Sequence, residues 1–439
     1  MLSHVRTSPA TMFIIIVIFG IVAFAVLAVC ERPVNVMSRT WTTTYLDNNA
    51  TTPCFDQVIS CVANSTRAFY ANPSSMHKAG QRSRAELERC RSVMRNLVKA
   101  SNYGIVFTSG ATESNNLAIR SIITDYITAS GKLNATVITT PMEHPSVYET
   151  LKSLPAVRVH MLSVSPIGLL DLDELNDALK DETVAMVCVT MANSEIGTIQ
   201  DVASIAQACR AAYVHCHLDM TQVFGRYNVS LNQLRADTVT MSAHKFHGPK
   251  GVGALFYTLT RPPPTPCTTG GKQEQGLRGG TENVPGVAGM ALALQLCADG
   301  LARDGAAERM TRLLQGIKVG IQGIVPDVVF RGGVPDVDGY HGLYQTVSVV
   351  LPARASQLAA ELSNLNVFVG VGGCACSKGQ HSMTLEAIGA SQEEMWRTMR
   401  ISLGFMNTDR DVGRFLKCMR VAMARIEHVE THRLETRSE

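Results

Sequence analysis

The most constraining feature of this 439-residue chain is a regular alternation of strand-like and helix-like segments through its middle. Short apolar runs rich in β-branched residues predict strands, and segments with apolar residues at helical spacing lie between them. The predicted strands cover residues 105–108, 136–140, 184–190, 214–218, 237–242 and 252–257. Strands that alternate with helices form a mostly parallel, doubly wound sheet, so the sequence predicts an α/β fold.

Length and composition predict one large domain and one smaller domain. Hydrophobic residues make up 46% of the chain and charged residues 18%, which is enough for a sizeable core. We expect the large domain at residues 55–301 and a smaller α/β domain formed by 45–54 together with 302–430. A glycine-rich, non-helical connection is expected at 270–286, and connections of this length are usually functional. A long helix over 287–304 is expected to join the two domains, and residues 431–439 form a polar tail.

The amino-terminal segment, residues 1–44, contains an unbroken apolar run at 12–29. A run of this length is just sufficient to span a bilayer, and the arginines that follow it, Arg32 and Arg39, favour a cytoplasmic or matrix-facing body. A signal-peptide core or an organellar targeting sequence is the alternative, because the surroundings are rich in serine and threonine and poor in acidic residues. The sequence leaves the anchor and the targeting segment open, and it predicts a mitochondrial or cytoplasmic protein.

Charge and cysteine content narrow the function classes. A net charge of +3, without basic clusters that interleave with aromatic residues, argues against nucleic acid as a partner. The twelve cysteines are scattered, which indicates a reducing compartment. The close pair Cys374 and Cys376 lacks the other ligands of a zinc site, and we interpret His215 and His217 as core histidines, so no metal site is predicted.

Lys245 lies on a predicted turn at the carboxyl end of the strand 237–242, within the sequence SAHKFHGPKG. Open α/β sheets bind their ligands at this edge. A lysine placed there can bond covalently to an aldehyde cofactor such as pyridoxal phosphate (PLP). A solvated surface lysine is the better interpretation of an isolated short motif, so a PLP site is predicted only if other strands also end in suitable residues.

Side chains suited to PLP follow neighbouring strands. The turn after strand 105–108 leads into a helix start at Thr112, which suits a phosphate, although helix capping explains the same residues. Asp219 can pair with a pyridine nitrogen, and Gln222 can reach a ring oxygen. His144 can stack on a flat ring or transfer a proton, and Asn193 ends another strand. Each residue alone is more often structural, but consecutive strands that all end in suitable side chains favour a site.

These motifs resemble those of the PLP-dependent cysteine desulfurases, in the class V aminotransferase-like branch of PLP fold type I. The resemblance extends over about residues 45–426, nearly the whole chain after the leader. The motifs that carry it, in order, are YLDNNATTP, NPSSMHKAG, FTSGATESNN, MEHPSV, ANSEIGTIQ, HLDMTQ, SAHKFHGPKG, LRGGTENVPG and MRISLG.

The resemblance implies a role for each candidate residue. Lys245 would bond to PLP, His144 would stack on its ring, Asp219 would bind the pyridinium nitrogen and Gln222 the ring oxygen. Asn193 and Arg400 would bind the substrate carboxylate. The phosphate would be bound by residues of both subunits of a homodimer, namely Ala111, Thr112, Ser242 and His244 of one subunit and Thr281 of its partner. Arginine offers the two-pronged fork that a carboxylate prefers.

The glycine-rich sequence VGGCACSKG resembles the mobile loop of the family and aligns Cys376 with its catalytic cysteine. A thiolate there would take the sulfur of L-cysteine as a persulfide and release alanine. The chain departs from the family pattern at Cys374, at Lys272, after Gly404, and in a slightly shorter cysteine loop. Cys374 could resolve the persulfide, form a disulfide with Cys376 or be neutral.

The sequence therefore predicts a homodimeric cysteine desulfurase that supplies sulfur for iron–sulfur cluster assembly or tRNA thiolation. A selenocysteine lyase is the closest alternative, because it shares the fold and the lysine. A catalytically weak, membrane-tethered scaffold paralogue is a further one. The expected partners are a sulfur-acceptor or iron–sulfur scaffold protein and a small accessory subunit, which the sequence does not identify.

Overall fold

The protein is described here by a computed structural model. The described residues are 43–132, 134–333, 342–372 and 382–438, with side chains described up to 429. Two predictions lie outside these residues, namely the anchor or targeting segment at 12–29 and the loop that carries Cys374 and Cys376. The fold below concerns the unit Thr44–Glu439.

The described residues form two sheets. The strands in chain order are β1 Thr44–Leu46, β2 Tyr103–Thr108, β3 Ala135–Thr139, β4 Val157–Met161, β5 Val184–Thr190, β6 His215–Asp219, β7 Thr238–Ser242, β8 Gly253–Thr258, β9 Val329–Arg331, β10 Thr346–Val350, β11 Val367–Val371 and β12 Thr398–Ser402. The helices are α1 Asp56–Ala68, α2 Lys78–Leu97, α3 Ala111–Ser130, α4 Pro145–Lys152, α5 Leu172–Ala178, α6 Val202–Ala211, α7 Leu231–Leu234, α8 Val284–Arg303, α9 Ala306–Gln322, α10 Ala355–Asn364, α11 Met383–Ala387, α12 Gln392–Arg397 and α13 Asp409–Ser438.

The larger sheet has seven strands in the order β2-β8-β7-β6-β5-β3-β4. Neighbouring strands from β7 to β4 pair in parallel, and β8 is antiparallel to both of its neighbours. Every residue of β5 is buried, as expected for a central parallel strand covered on both faces. The predicted mostly parallel α/β sheet is confirmed, and the strand predicted at 184–190 has the predicted bounds.

The long helix predicted at 287–304 begins earlier, at Val284. The side chain of Asn283 caps it by accepting a hydrogen bond from the amide of Gly286, and Pro285 occupies its first turn, where the missing N–H costs nothing. The predicted non-helical stretch therefore extends too far, because residues 284–286 are already helical. That stretch also contains a short 3₁₀ turn, Gln273–Gly276.

Helix α8 is, among the described residues, the one helix long and apolar enough to cross a membrane by length and composition alone. Core helices of soluble proteins share these properties. Here the apolar side chains of Val287, Met290 and Leu294 are buried in the main hydrophobic cluster. We therefore attribute the composition of α8 to its place in the core.

The smaller sheet has five strands in the order β1-β11-β12-β10-β9. Strand β1 pairs in parallel with β11, which brings the start of the described chain to strands from its end. Leu46 on β1, Val347 on β10 and Phe415 on α13 belong to a hydrophobic cluster separate from that of the larger sheet. The segment after β1 and residue Arg400 on β12 thereby reach the edge where β5, β6 and β7 end.

Candidate active site

A cavity of about 480 Å³ lies at the carboxyl ends of the parallel strands. Most of the residues predicted for a PLP site line it, namely Ala111, Thr112, His144, Asn193, Asp219, Gln222, Ser242, His244, Lys245 and Arg400. Thr281 is exposed and is not among the lining residues of its own chain. The position of the cavity is the one expected for ligands of open α/β sheets.

Lys245 ends the short 3₁₀ turn Ala243–Lys245 directly after β7. Its Nζ donates to the carbonyl oxygens of Asn49, at 2.6 Å, and Ala50, at 3.0 Å. Burial, helped by the positive charges of Arg226 and Arg400, lowers the pKa of Lys245 to about 7. A substantial share of the amine is therefore uncharged near neutral pH and able to attack an aldehyde.

Asp219 ends β6, and both of its carboxylate oxygens are bonded. Oδ1 accepts from the amide of Thr221 at 3.0 Å, and Oδ2 accepts from Nδ2 of Asn115 at 2.8 Å. These bonds orient the carboxylate within the cavity lining. The buried hydroxyl of Thr221 has no hydrogen-bond partner among the described residues, so the same wall holds an unused polar group.

Asn115 connects Asp219 to His144. Its Nδ2 also donates to Oγ of Ser146 at 2.9 Å, and that Oγ lies 2.8 Å from Nδ1 of His144. The Oδ1 of Asn115 lies 3.1 Å from Nε2 of His217. Burial is the main cause that lowers the pKa of His144, so its ring is neutral near pH 7. This network was missed from the sequence, where Asn115 appeared within the motif FTSGATESNN without a role of its own.

The two histidines of β6 face Thr238 on the neighbouring strand. Nε2 of His215 and Nδ1 of His217 each lie 2.9 Å from its Oγ1. Burial lowers the pKa of His217 to about 4 and the pKa of His215 well below its ordinary value. Both are buried core histidines, and the described residues contain no cluster of potential metal ligands.

Glu143, which lines the cavity and directly precedes His144, is a second residue whose role sequence reasoning missed. Its Oε1 accepts from the hydroxyl of Thr140 at 2.8 Å and the amide of Thr190 at 2.9 Å. The buried Oε2 has no partner among the described residues. Burial raises the pKa of Glu143 to about 8, so the carboxyl group is protonated at neutral pH and can donate a hydrogen bond.

Helix α3 forms a cradle suited to a phosphate. Its N-cap, Gly110, has φ 151°, a conformation that side chains disfavour, and the first-turn amides that follow have no partner within the helix. Thr112, Ser242 and His244 line the cavity beside it. Burial and nearby lysines lower the pKa of His244 to about 4, so its ring interacts as a neutral group.

Arg400 is fixed by the protein but keeps one donor unused. Its Nη2 lies 2.6 Å from Oδ1 of Asp47, and Nη1 donates to the carbonyl of Ser194 at 3.2 Å. The buried Nε has no partner among the described residues. This arrangement suits recognition of a carboxylate, since the guanidinium is already oriented before the ligand arrives.

Two other predicted ligands have side-chain amides that the protein itself already uses. Nδ2 of Asn193 donates to the carbonyl of Met142 at 3.0 Å and to Oγ1 of Thr384 at 3.1 Å. Gln222 donates to the carbonyl of Asn49 at 3.1 Å and accepts from Arg226 at 2.6 Å. A ligand that binds either amide must therefore exchange for one of these contacts.

The residues present fit PLP. A low-pKa amine, an oriented carboxylate and a helix N-terminus surround one cavity, as an aldehyde, a pyridine nitrogen and a phosphate require. The unpartnered Thr221 hydroxyl and Arg400 Nε are the groups that a bound cofactor and its substrate would satisfy.

Comparison with protein families identifies a match over residues 44–415 to the aminotransferase class-V model. Among curated proteins, the cysteine desulfurase of Mus musculus is 33% identical over 376 residues, covering 84% of this chain and 78% of the relative. The mitosomal cysteine desulfurase of Trachipleistophora hominis is 32% identical, covering 89% of this chain and 88% of the relative. The cysteine desulfurase IscS of Colwellia psychrerythraea is 32% identical, with 87% and 93% covered.

Solved structures give the same result. A NifS-like protein superposes with a TM-score of 0.78 at 33% identity and covers 87% of this chain and 99% of its own. The structure of SspA in complex with cysteine gives a TM-score of 0.69 at 27% identity, with 83% and 100% covered. The family match, residues 44–415, includes every strand of both sheets and all the residues that line the cavity.

Proposed function

Because the chain belongs to the class-V aminotransferase family, as a PLP-dependent cysteine desulfurase, we propose that the cavity around Lys245 removes sulfur from L-cysteine and releases L-alanine. The observation that carries this proposal is the meeting of Lys245, Asp219 and Arg400 in one cavity. These three side chains supply an amine for the cofactor, a carboxylate for its ring nitrogen and a cation for the substrate carboxylate.

When bound, PLP withdraws electrons from the carbon atoms of the amino acid that it holds and so weakens the carbon–sulfur bond. Lys245 would hold the cofactor covalently and, once released, would move protons at the substrate carbons, for which a pKa of about 7 is well suited. Asp219 would keep the ring nitrogen protonated, and the neutral ring of His144 would pack against the cofactor. Thr112, Ser242, His244 and the first-turn amides of α3 would bind the phosphate.

Arg400 and Asn193 would bind the substrate carboxylate. Two features of Arg400 support this role. Its Nη2 is held by Asp47, and its Nε is unused, so the guanidinium is fixed in place without being fully bonded. Asn193 would release either Met142 or Thr384 to bind the carboxylate. Recognition at this end fixes the orientation of the sulfur with respect to the cofactor.

Cys376 would receive the sulfur. Its thiolate attacks the substrate sulfur, a sulfur–sulfur bond forms and the carbon–sulfur bond breaks, leaving the electron pair on carbon. That carbon then takes up a proton and becomes the methyl group of alanine. The support for this assignment is the sequence VGGCACSKG, which lies mostly outside the described residues. The role of Cys374 stays open.

We infer that the persulfide serves iron–sulfur cluster assembly or tRNA thiolation through an acceptor or scaffold protein, with a small accessory subunit as a further partner. A homodimer, in which Thr281 joins the phosphate site of the partner subunit, is part of the same proposal. The proposed location is the mitochondria or the cytoplasm, and the relative that is named mitosomal supports the first of these. The apolar run at 12–29 would act as a targeting segment or a single membrane anchor.

The test is alanine release by the purified protein with PLP, assayed with L-cysteine and with L-selenocysteine. We expect alanine from L-cysteine, and we expect Lys245→Ala to abolish it. Lys180→Ala is the matched control, because Lys180 is an exposed lysine paired with Asp177 on the surface. Release from selenocysteine alone would identify a lyase instead, and a PLP-loaded protein that is inert on both would contradict the proposal.

A further inference from the structure

The connection between β8 and α8 contains Thr281, the residue proposed to act in the partner subunit. Apart from the 3₁₀ turn Gln273–Gly276, the connection has no regular secondary structure. Thr281 is exposed, and its own chain's cavity is lined by other residues. A hydroxyl that must reach another subunit from such a connection needs something to hold it at a defined position.

A buried ion pair holds this connection to the larger sheet. The carboxylate of Glu274 receives two hydrogen bonds from Arg91 on α2, both at 3.0 Å, and a third from the amide of Phe107 on β2 at 2.9 Å. The side chains of Arg91 and Glu274 are only 7% and 2% exposed. The guanidinium also lies over the ring of Phe107, at 4.5 Å from its centre.

The backbone at this pair is strained. Glu274 has φ 47°, Gln275 has φ 60° and Gly276 has φ 86°, so three consecutive residues are left-handed and two of them carry side chains. Such conformations persist only where the surrounding contacts enforce them. Since a buried ion pair adds little stability compared with apolar packing, its use here is better explained by the need for one fixed conformation.

A second ion pair fixes the connection on the side nearer Thr281. Nε of Arg278 lies 2.8 Å from Oε1 of Glu113, and Oε2 of Glu113 accepts from the amide of Ser109 at 2.7 Å. Ser109 and Glu113 lie at the start of α3 and line the cavity. The segment between the two pairs is thus bound to the same strand and helix that form the phosphate cradle of its own chain.

We propose that Glu274, bound by Arg91, is a positioning residue for the active site of the other subunit, and that it acts by holding Thr281 in place. The inference rests on the proposed function, in which Thr281 binds the cofactor phosphate of the partner. Arg278 and Glu113 assist from the other side of the turn. Glu274 itself contacts neither cofactor nor substrate.

Hybrid dimers test the proposal. One full-length subunit carries Lys245→Ala, the other carries Thr281→Ala, and two different affinity tags isolate the hybrid. Its single competent site has an intact lysine in the Thr281→Ala subunit and receives Thr281 from the Lys245→Ala subunit. Glu274→Gln is then added to one subunit or to the other, and alanine release is measured against PLP concentration.

We expect Glu274→Gln in the Lys245→Ala subunit to weaken PLP binding at the competent site about tenfold, the effect of losing one hydrogen bond to a charged group. The same change in the Thr281→Ala subunit should leave PLP binding at the competent site unaffected. The connection of that subunit reaches the other site, which is inactive because it lacks Lys245. Glu88→Gln is the matched control, since Glu88 pairs with the same arginine at 3.2 Å but lies on α2, away from the connection.

Equal effects from both placements, or no effect from either, would overturn the inference while leaving the desulfurase function intact. An inactive hybrid, alongside an active wild-type protein, would overturn the role of Thr281 in the partner subunit and the inference together. If Glu274→Gln prevents folding, Arg91→Lys replaces it, because that change keeps the positive charge beside Glu274 but removes one of its two hydrogen bonds, and the same asymmetry between subunits is expected.

Discussion

Burial of single charged groups determines the chemistry of the cavity. Lys245 illustrates this, because burial lowers its pKa to about 7 whereas an exposed lysine titrates near pH 10.4. The rate at which the apoprotein takes up PLP should therefore rise with pH and level off at about pH 8, as the amine form becomes complete. Absorbance of the bound cofactor measures this rate. A rate that continues to rise up to pH 10 would show that Lys245 is an ordinary lysine.

Asn115 is predicted to act through its neighbours, since it bonds both Asp219 and Ser146 and thereby orients His144. Asn115→Ala should lower kcat for alanine release about 10- to 100-fold, the usual effect of removing a residue that orients a catalytic group. The matched control is Asn116→Ala, because the side chain of Asn116 is half-buried and bonds only within α3.

The two asparagine variants are compared by steady-state kinetics and by the absorbance spectrum of bound PLP. A perturbed spectrum in Asn115→Ala, with unchanged thermal stability, would place the effect at Asp219 and His144. If the adjacent variants Asn115→Ala and Asn116→Ala behave alike, the bridge between Asp219 and His144 has no role in the reaction.

Residues at strand ends could be predicted from sequence because the carboxyl ends of parallel strands meet at one edge. Lys245, Asp219 and His144 were found in this way. Asn115 and Glu143 could not be found, since their roles depend on contacts between α3, β5 and β6 that no spacing encodes. The residue roles, like that of Cys376, stay predictions until variants are measured.

At the scale of elements, the pairing of β11 with β12 places Gly370 opposite Arg400. A Cβ at Gly370 would lie 2.9 Å from Oδ1 of Asp47, closer than such contacts occur, and 3.0 Å from Nε of Arg400, closer than nearly all of them. Gly370→Ala should therefore displace the guanidinium and raise KM for L-cysteine by at least about tenfold, while PLP binding changes little.

The control for Gly370→Ala is Gly413→Ala on α13, where a Cβ would have no atom within 4 Å. Its KM should equal that of the wild type. If Gly370→Ala weakens PLP binding as much as it raises KM, the strand itself has shifted and the proposed displacement of Arg400 alone is wrong.

The elements were predicted where hydrophobic pattern and length decide, as for β5 and the helices between the strands. Boundaries were missed where a cap decides. Helix α8 begins at Val284 because Asn283 caps it. The glycine-rich connection was predicted as functional, but the ion pair between Arg91 and Glu274 joins residues too distant in sequence to be paired by pattern.

For the whole molecule, buried histidines predict loss of stability in mild acid. Burial keeps the pKa of His217 and of His244 at about 4, and it also lowers those of His144 and His215. The unfolded chain binds protons at these side chains near pH 6.5. Below that pH the unfolded state binds more protons than the folded state, so the free energy of unfolding should fall as pH drops from about 6.5 towards 4.

Two carboxyl groups oppose this trend. The pKa of Glu143 is raised to about 8 and burial also raises the pKa of Asp237, so both groups favour the folded state as pH falls. Four histidines outweigh two carboxyl groups. The urea midpoint of the apoprotein should thus be lower at pH 5 than at pH 7, and His217→Asn should reduce the difference. A midpoint that is equal or higher at pH 5 would contradict the burial of these rings.

The fold of the whole molecule followed from the alternation of strands and helices, and the division into domains at 55–301 and at 45–54 with 302–430 stays a prediction.

Sulfur transfer from L-cysteine to Cys376 can be measured in a single turnover with sulfur-labelled L-cysteine, followed by peptide mapping. We predict one labelled sulfur as a persulfide on Cys376 for each alanine released. The control variant Cys267→Ala, which removes an exposed cysteine, should give the same labelling and the same amount of alanine. Alanine formed without label on Cys376, or undiminished in Cys376→Ala, would contradict sulfur transfer to Cys376.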